Sequence, residues 1–257
     1  MPTRRALLAL LVAAGCSRAA PDAPVRVAAA ADLALAFEAL GRRFTAQTGR
    51  RVVFSFGSTG MLARQIREGA PFDVFAAAHV SYIDAVVATG ACDGATRAPY
   101  ARGRLALWTR RGGVTPPTTL ADLAHPRFRR VALANPAHAP YGQAAREALT
   151  QLGVWGAVER RLVLGENVRQ TLQYAQTGNV DAALVALSLV VNDRENPWIV
   201  VEESLHRPIA QALAVCGRGA NRAGGLAFAR FVNAAEGRAV MRQHGFLLPG
   251  EPAVQAP

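Results

Sequence analysis

The chain has 257 residues, 51% of them hydrophobic, and 29 basic against 18 acidic residues give it a net charge of +11. That apolar share is ample for one large core or two modest ones. The basic residues fall in small groups (Arg42-Arg43, Arg110-Arg111, Arg127/Arg129/Arg130, Arg160-Arg161) without interleaved aromatics, which excludes nucleic acid as the partner and reads as solvated arginine-rich faces.

In chain order, residues 1–24 read as an export segment and tether rather than as part of the fold. Arg4 and Arg5 form a basic start, and the apolar run 6–14 is too short to span a bilayer. Ala13-Ala14-Gly15-Cys16 resembles a bacterial lipobox, which implies a lipidated Cys16 as the first mature residue. Cleavage before Cys16 leaves 27 basic against 18 acidic residues, a net +9. Cys92 and Cys216 then remain, and two cysteines allow one pairing in an oxidising compartment. Nothing in their spacing brings them together.

Short apolar runs then alternate with helical patterns, the signature of βα units and parallel sheet. A strand at 25–30 precedes an amphipathic helix in which Leu33, Phe37, Leu40 and Phe44 share a face. Strand 51–56 leads into helix 61–68, and strand 73–78 into helix 80–89. After Pro99 and Gly103 come a strand at 104–109, a loop at 110–119 and a strand at 130–134. Helices at 142–152 and 167–177 follow, then strands at 182–187, 198–202 and 209–216. Helices at 224–234 and 237–244 close the fold, and the Pro/Ala-rich tail 249–257 reads as frayed. The pattern predicts an α/β protein of two lobes, with the chain crossing a hinge near 99–104 and 207–214. The lobes are expected at 25–102 plus 214–248 and at 103–213.

Four junctions open directly into helices: Ala30-Ala31-Asp32-Leu33, Gly57-Ser58-Thr59, the Asn135–Gly142 segment and Gly165-Glu166-Asn167-Val168. Helix starts carry unpaired N–H groups and the positive end of the macrodipole, which suits an anion. The plainer reading is ordinary capping, since Asp32, Ser58 and Asn167 are all common N-cap residues. The five histidines stand singly and read as surface residues. No Cys/His spacing suggests zinc, and no Gly-x-Ser-x-Gly or triad order surrounds Ser58, so catalysis is not expected. Asp73 reads as a strand-edge residue and Asp84 as a solvated one.

Order and spacing add a further reading. Phe56-Gly57-Ser58-Thr59-Gly60 with Leu62-Ala63-Arg64-Gln65-Ile66, then Gly69-Ala70-Pro71, Asn135-Pro136-Ala137-His138-Ala139-Pro140-Tyr141-Gly142, Glu166-Asn167-Val168 and His244-Gly245-Phe246 follow one another. Together they resemble the periplasmic molybdate-binding proteins of ABC importers, over roughly 25–248. The resemblance implies a class II periplasmic binding protein fold with a ligand cleft between the lobes. It implies capture of molybdate or tungstate by neutral hydrogen bonds and delivery to an ABC permease in the inner membrane. It further implies no cofactor, no enzymatic activity, a monomer, and a periplasmic location with an anchor at Cys16. Ligand contacts carried over are the Ser58 hydroxyl and N–H and the N–H groups of Tyr141 and Val168. These touch oxyanion oxygens and are not metal ligands. Ala31 or Asp32 supplies the first-junction contact, and Thr59 stands beside Ser58.

Two positions depart from the family pattern. Asp32 lies where a serine or a Thr-Asn pair is common; a carboxylate there repels a dianion unless it turns away to cap its own helix. Ala186 replaces a tyrosine, and the Tyr141 phenol is expected to reach the cleft in its place. The alternative left open is another oxyanion on the same fold: sulfate, phosphate or a small organic anion.

Overall fold

The computed structural model describes residues 23–252; the export segment, Cys16 and tail residues 253–257 lie outside the described residues. Three βα units come first: β1 (Val25–Ala30) and α1 (Ala34–Thr48), β2 (Val52–Gly57) and α2 (Thr59–Arg67), β3 (Val74–Ala77) and α3 (Val80–Ala88). The next strand, β4 (Ala98–Gly103), is separated only by Arg104 from β5 (Leu105–Trp108). Then come β6 (Val131–Ala134), α4 (Pro140–Gln151), the short α5 (Trp155–Val158), β7 (Leu162–Gly165) and α6 (Val168–Gln176). The chain continues through β8 (Ala182–Ala186), β9 (Trp198–Val200) and β10 (Ile209–Val215), and ends in α7 (Arg222–Asn233) and α8 (Ala235–Gln243).

The strands form two five-stranded sheets, ordered β2-β1-β3-β10-β4 and β7-β6-β8-β5-β9. Each has three parallel strands and then an antiparallel strand, β10 in the first and β5 in the second. The chain crosses between sheets at Arg104 and again between β9 and β10. β10 lies wholly in the first sheet, so the 213/214 boundary expected from the sequence falls inside that strand.

Central strands β3, β5, β6 and β8 are buried at every residue, as expected where helices cover both faces. β4 and β7, each at a sheet edge, escape the sequence pattern because neither carries a long continuous apolar run. β4 carries Pro99, which an edge tolerates since it need not donate there, and β7 leaves Leu164 half exposed. In the first lobe, Phe37, Phe44, Phe54 and Phe228 pack edge-on or tilted with centroids 5.4–5.9 Å apart.

Cys92 and Cys216 are joined by a disulfide that ties the turn after α3 to the end of β10. Asp73 is not at a strand edge in contact with solvent. It is fully buried, and its carboxylate accepts from the N–H of Arg26 and of Asn221, both at 2.7 Å, bolting β1 to the start of α7.

Candidate functional site

All four junctions end parallel strands (β1, β2, β6 and β7), so the C-terminal edges of the two sheets present their helix starts to each other. After β1 the chain makes a 3-10 turn, Ala31–Leu33, before α1. After β2, Ser58 is the N-cap of α2. After β6, the Asn135 side chain accepts from Ala137 N–H at 3.0 Å and its carbonyl from Ala139 N–H at 2.9 Å. That folded loop delivers Pro140 to the first position of α4, where its missing N–H costs nothing. Gly142 lets α4 start against β6: a Cβ there would lie 1.9 Å from the Ala134 carbonyl oxygen. After β7, Asn167 caps α6, its Oδ1 accepting from Arg169 and Gln170 N–H at 3.0 Å.

These segments line one small cavity between the lobes. Ala31, Asp32, Ser58, Thr59, Tyr141 and Val168 all reach it, together with Ala78, Asn167 and residues of the Ala139-Pro140 turn. All six are buried. Among the described residues, the N–H groups of Ser58, Thr59, Tyr141 and Val168 find no acceptor in the protein. They are the unpaired donors of three helix starts, gathered from both lobes. No arginine lines the cavity.

Side chains go elsewhere than capping rules suggest. The Ser58 hydroxyl does not cap its helix; it meets His138 across the cleft, 2.8 Å from the carbonyl oxygen and 2.7 Å from Nδ1. A hydroxyl has one proton. With that proton on the carbonyl, Nδ1 must carry the hydrogen and donate to Oγ. Gly60 N–H donates to the same carbonyl at 3.0 Å, and a Cβ on Gly60 would lie 2.8 Å from that oxygen. Bare backbone is therefore what permits this approach of the lobes. The Thr59 hydroxyl accepts from Ala78 N–H at 3.2 Å.

The N-cap of the first turn is Ala30, and the Asp32 side chain turns instead toward partners distant in sequence. It is 1% exposed, and Oδ2 accepts from the Tyr141 phenol at 3.1 Å and from Gln211 Nε2 at 2.6 Å. Its carbonyl accepts from the Ser188 hydroxyl at 2.7 Å. Burial pushes the carboxyl up to about 6, even though the Gln211 and Tyr141 bonds pull the other way. The Tyr141 and Tyr100 phenols are driven well above the usual tyrosine range, first by burial and then by the Asp32 charge. The phenol of Tyr141 is thus spent on Asp32 and does not replace the hydroxyl missing at Ala186.

Three contributors escape sequence reasoning. His138, which reads as a surface residue, is half-buried at the interlobe contact; its place inside the Pro-Ala-His-Ala-Pro segment is the available signal. Gln211 is the one polar residue of the otherwise apolar strand Ile209–Val215, a pattern that marks a buried partner. Ser188 follows Ala186 in a 3-10 turn and carries no comparable signal.

Comparison with known proteins agrees with this geometry. Residues 25–247 match the family described as bacterial extracellular solute-binding protein. The molybdate-binding protein ModA of Rhodobacter capsulatus is 32% identical over 251 residues, covering 95% of this chain and 96% of the relative. ModA of Azotobacter vinelandii is 33% identical over 232 residues, 89% and 91% of the two chains. The solved Azotobacter vinelandii periplasmic molybdate-binding protein superimposes with a TM-score of 0.81 at 28% identity, over 88% of this chain and 99% of that one. The chain belongs to the bacterial extracellular solute-binding protein family, groups with its ModA proteins, and has their two-lobed class II fold.

Proposed function

We propose that this solute-binding protein captures molybdate or tungstate between its lobes and hands it to the permease of an ABC importer, without catalysis. The observation that carries the reading is the cavity itself. Unpaired N–H groups of Ser58, Thr59, Tyr141 and Val168 converge on it from both lobes, with no arginine among its walls. An anion held this way is bound by dipoles in fixed positions. Each buried donor left unpaired costs about 1–3 kcal/mol, so the closed form favours an occupant with an acceptor for every donor. A tetrahedral oxyanion offers four acceptor oxygens. The relatives named for molybdate point to the same class of ligand.

The contact set proposed is the N–H groups of Ser58, Thr59, Tyr141 and Val168, with Ala31 and Asp32 among the other residues of the wall. The finer cellular reading is a mature protein in the periplasm, held at the membrane by lipid on Cys16. Intact mass of the exported protein tests that part: a diacylglyceryl mass on Cys16 is expected, and a mature start at Pro21 or beyond refutes it.

Calorimetric titration of the mature protein tests the ligand. Saturable binding of molybdate and tungstate, one per chain, is expected, with sulfate weaker. The absence of heat with both, at micromolar protein, would overturn the proposal.

A further inference from the structure

An acidic residue among those lining an anion cavity is the feature that oxyanion capture alone leaves unexplained. Asp32 lines the cavity and is almost wholly buried. Its Oδ2 already takes two hydrogen bonds, from Tyr141 and Gln211. Both of those bonds end on Oδ2, and besides them the carboxylate takes a hydrogen bond only from the backbone N–H of Asp32 itself, so among the described residues no other residue donates to Oδ1. If ionised, this oxygen sets a negative charge beside the bound anion in a poorly solvated space, where like charges repel strongly. If protonated, Oδ1 becomes an O–H donor in a site whose other polar groups facing the anion are donors.

We propose that this protein takes up its oxyanion together with one proton, which lodges on Oδ1 of Asp32 and makes the carboxyl a neutral hydrogen-bond donor to the ligand. The proposal rests on oxyanion capture at this cavity. The proton comes from solvent during closure and returns to it on release, and no bond other than the O–H forms or breaks. Burial already pushes the carboxyl up to about 6, and a dianion pressed against it moves it further in the same direction. A carboxylic acid kept neutral by an apolar site so that it can donate a hydrogen bond is a known device elsewhere.

The other groups facing Asp32 do not compete for that proton. Tyr100 from β4 and Tyr141 from α4 are held well above the usual tyrosine range by burial and by the Asp32 charge, so both stay neutral. Gln211 from β10 does not titrate. The residues presented by the end of β2 and the start of α1 (Gly57, Ser58, Ala34, Leu35) and by the Leu187–Leu189 turn are uncharged. From α6, Arg169 is exposed. Arg104, close enough to Tyr141 to feel it, donates from Nε to the Gly245 carbonyl at 3.1 Å. His138 is hydrogen-bonded to the Ser58 hydroxyl and not to Asp32.

The test is calorimetry of the mature protein with sodium molybdate in buffers of different ionisation enthalpy, repeated between pH 6.5 and 8.5. The dependence of heat on buffer gives the protons taken up. Wild type is expected to take up close to one proton per anion near pH 7.5, with affinity falling roughly tenfold per pH unit across the range. Asp32→Asn keeps an acceptor for Tyr141 and Gln211 and presents an N–H that needs no proton. It is expected to bind with no proton uptake and a flat pH profile, overtaking wild type at pH 8.5. Binding by wild type without proton uptake would overturn the proposal, as would uptake that persists in Asp32→Asn. Loss of binding in a folded Asp32→Asn would mean the proton travels on the ligand, and would also overturn it. Absence of binding by wild type would refute oxyanion capture itself, a distinguishable result.

Discussion

Gly60→Ala is the substitution that separates closure from folding. Gly60 sits in the first turn of α2, where alanine is the better helix former by up to about 1 kcal/mol. The first lobe should therefore fold at least as well. The added Cβ would lie 2.8 Å from the His138 carbonyl oxygen, 2.9 Å from its Cβ and 3.1 Å from its Cα, all in the other lobe. Relieving those contacts needs an opening of roughly half an ångström, which takes the 3.0 Å Gly60–His138 bond beyond useful length. The 2.8 Å bond from the Ser58 hydroxyl to the same carbonyl is stretched with it. Two bonds at about 1 kcal/mol each predict a loss of about 2 kcal/mol in the closed state. That corresponds to affinity lower by about 30-fold. Calorimetry with molybdate reads the affinity, and urea unfolding of the ligand-free protein reads stability. Unchanged affinity would refute the interlobe contact as part of capture. A matching loss of ligand-free stability would show that the alanine damages the lobe instead.

Other substitutions probe the same network. Asp32, held at about 6 instead of its ordinary 3.8, costs the ionised fold about 3 kcal/mol. Because the folded-state value is raised, the stability it allows is fully present below about pH 4 and is lost as pH rises through 6. Asp32→Asn is accordingly expected to melt roughly 6–12 °C above wild type at pH 8 and level with it at pH 4; a difference independent of pH would refute the burial argument. Ser58→Ala removes both bonds to His138 and is expected to weaken molybdate binding about tenfold with little change in ligand-free unfolding, checked by calorimetry and urea titration. The Cys92–Cys216 disulfide spans 124 residues, so reduction is expected to lower unfolding stability by up to about 5 kcal/mol, seen as a lower urea midpoint with dithiothreitol.

The fold was legible where burial and periodicity agree. The β1-α1, β2-α2 and β3-α3 units, and strands β6, β8 and β10, stand close to where apolar runs and helical spacing put them. β4 and β7, each at a sheet edge, were not, since neither carries a long continuous apolar run. The four junctions could be read because helix starts leave local marks: the Ser58-Thr59 turn, Asn167 as cap, Pro140 at the first helical position. The side-chain partnerships could not. Asp32 meets Tyr141 109 positions away and Gln211 179 positions away, and no local rule links them. Capping rules failed at Ser58 for the same reason, because a partner from the other lobe offered its hydroxyl a better bond than its own helix did.

Anomalous scattering from crystals of the mature protein grown with tungstate tests the central claim most directly. A single strong peak is expected in the interlobe cavity, with oxyanion oxygens within hydrogen-bond reach of the Ser58, Tyr141 and Val168 N–H groups. A peak outside that cavity, or none in crystals with the lobes closed, would contradict it.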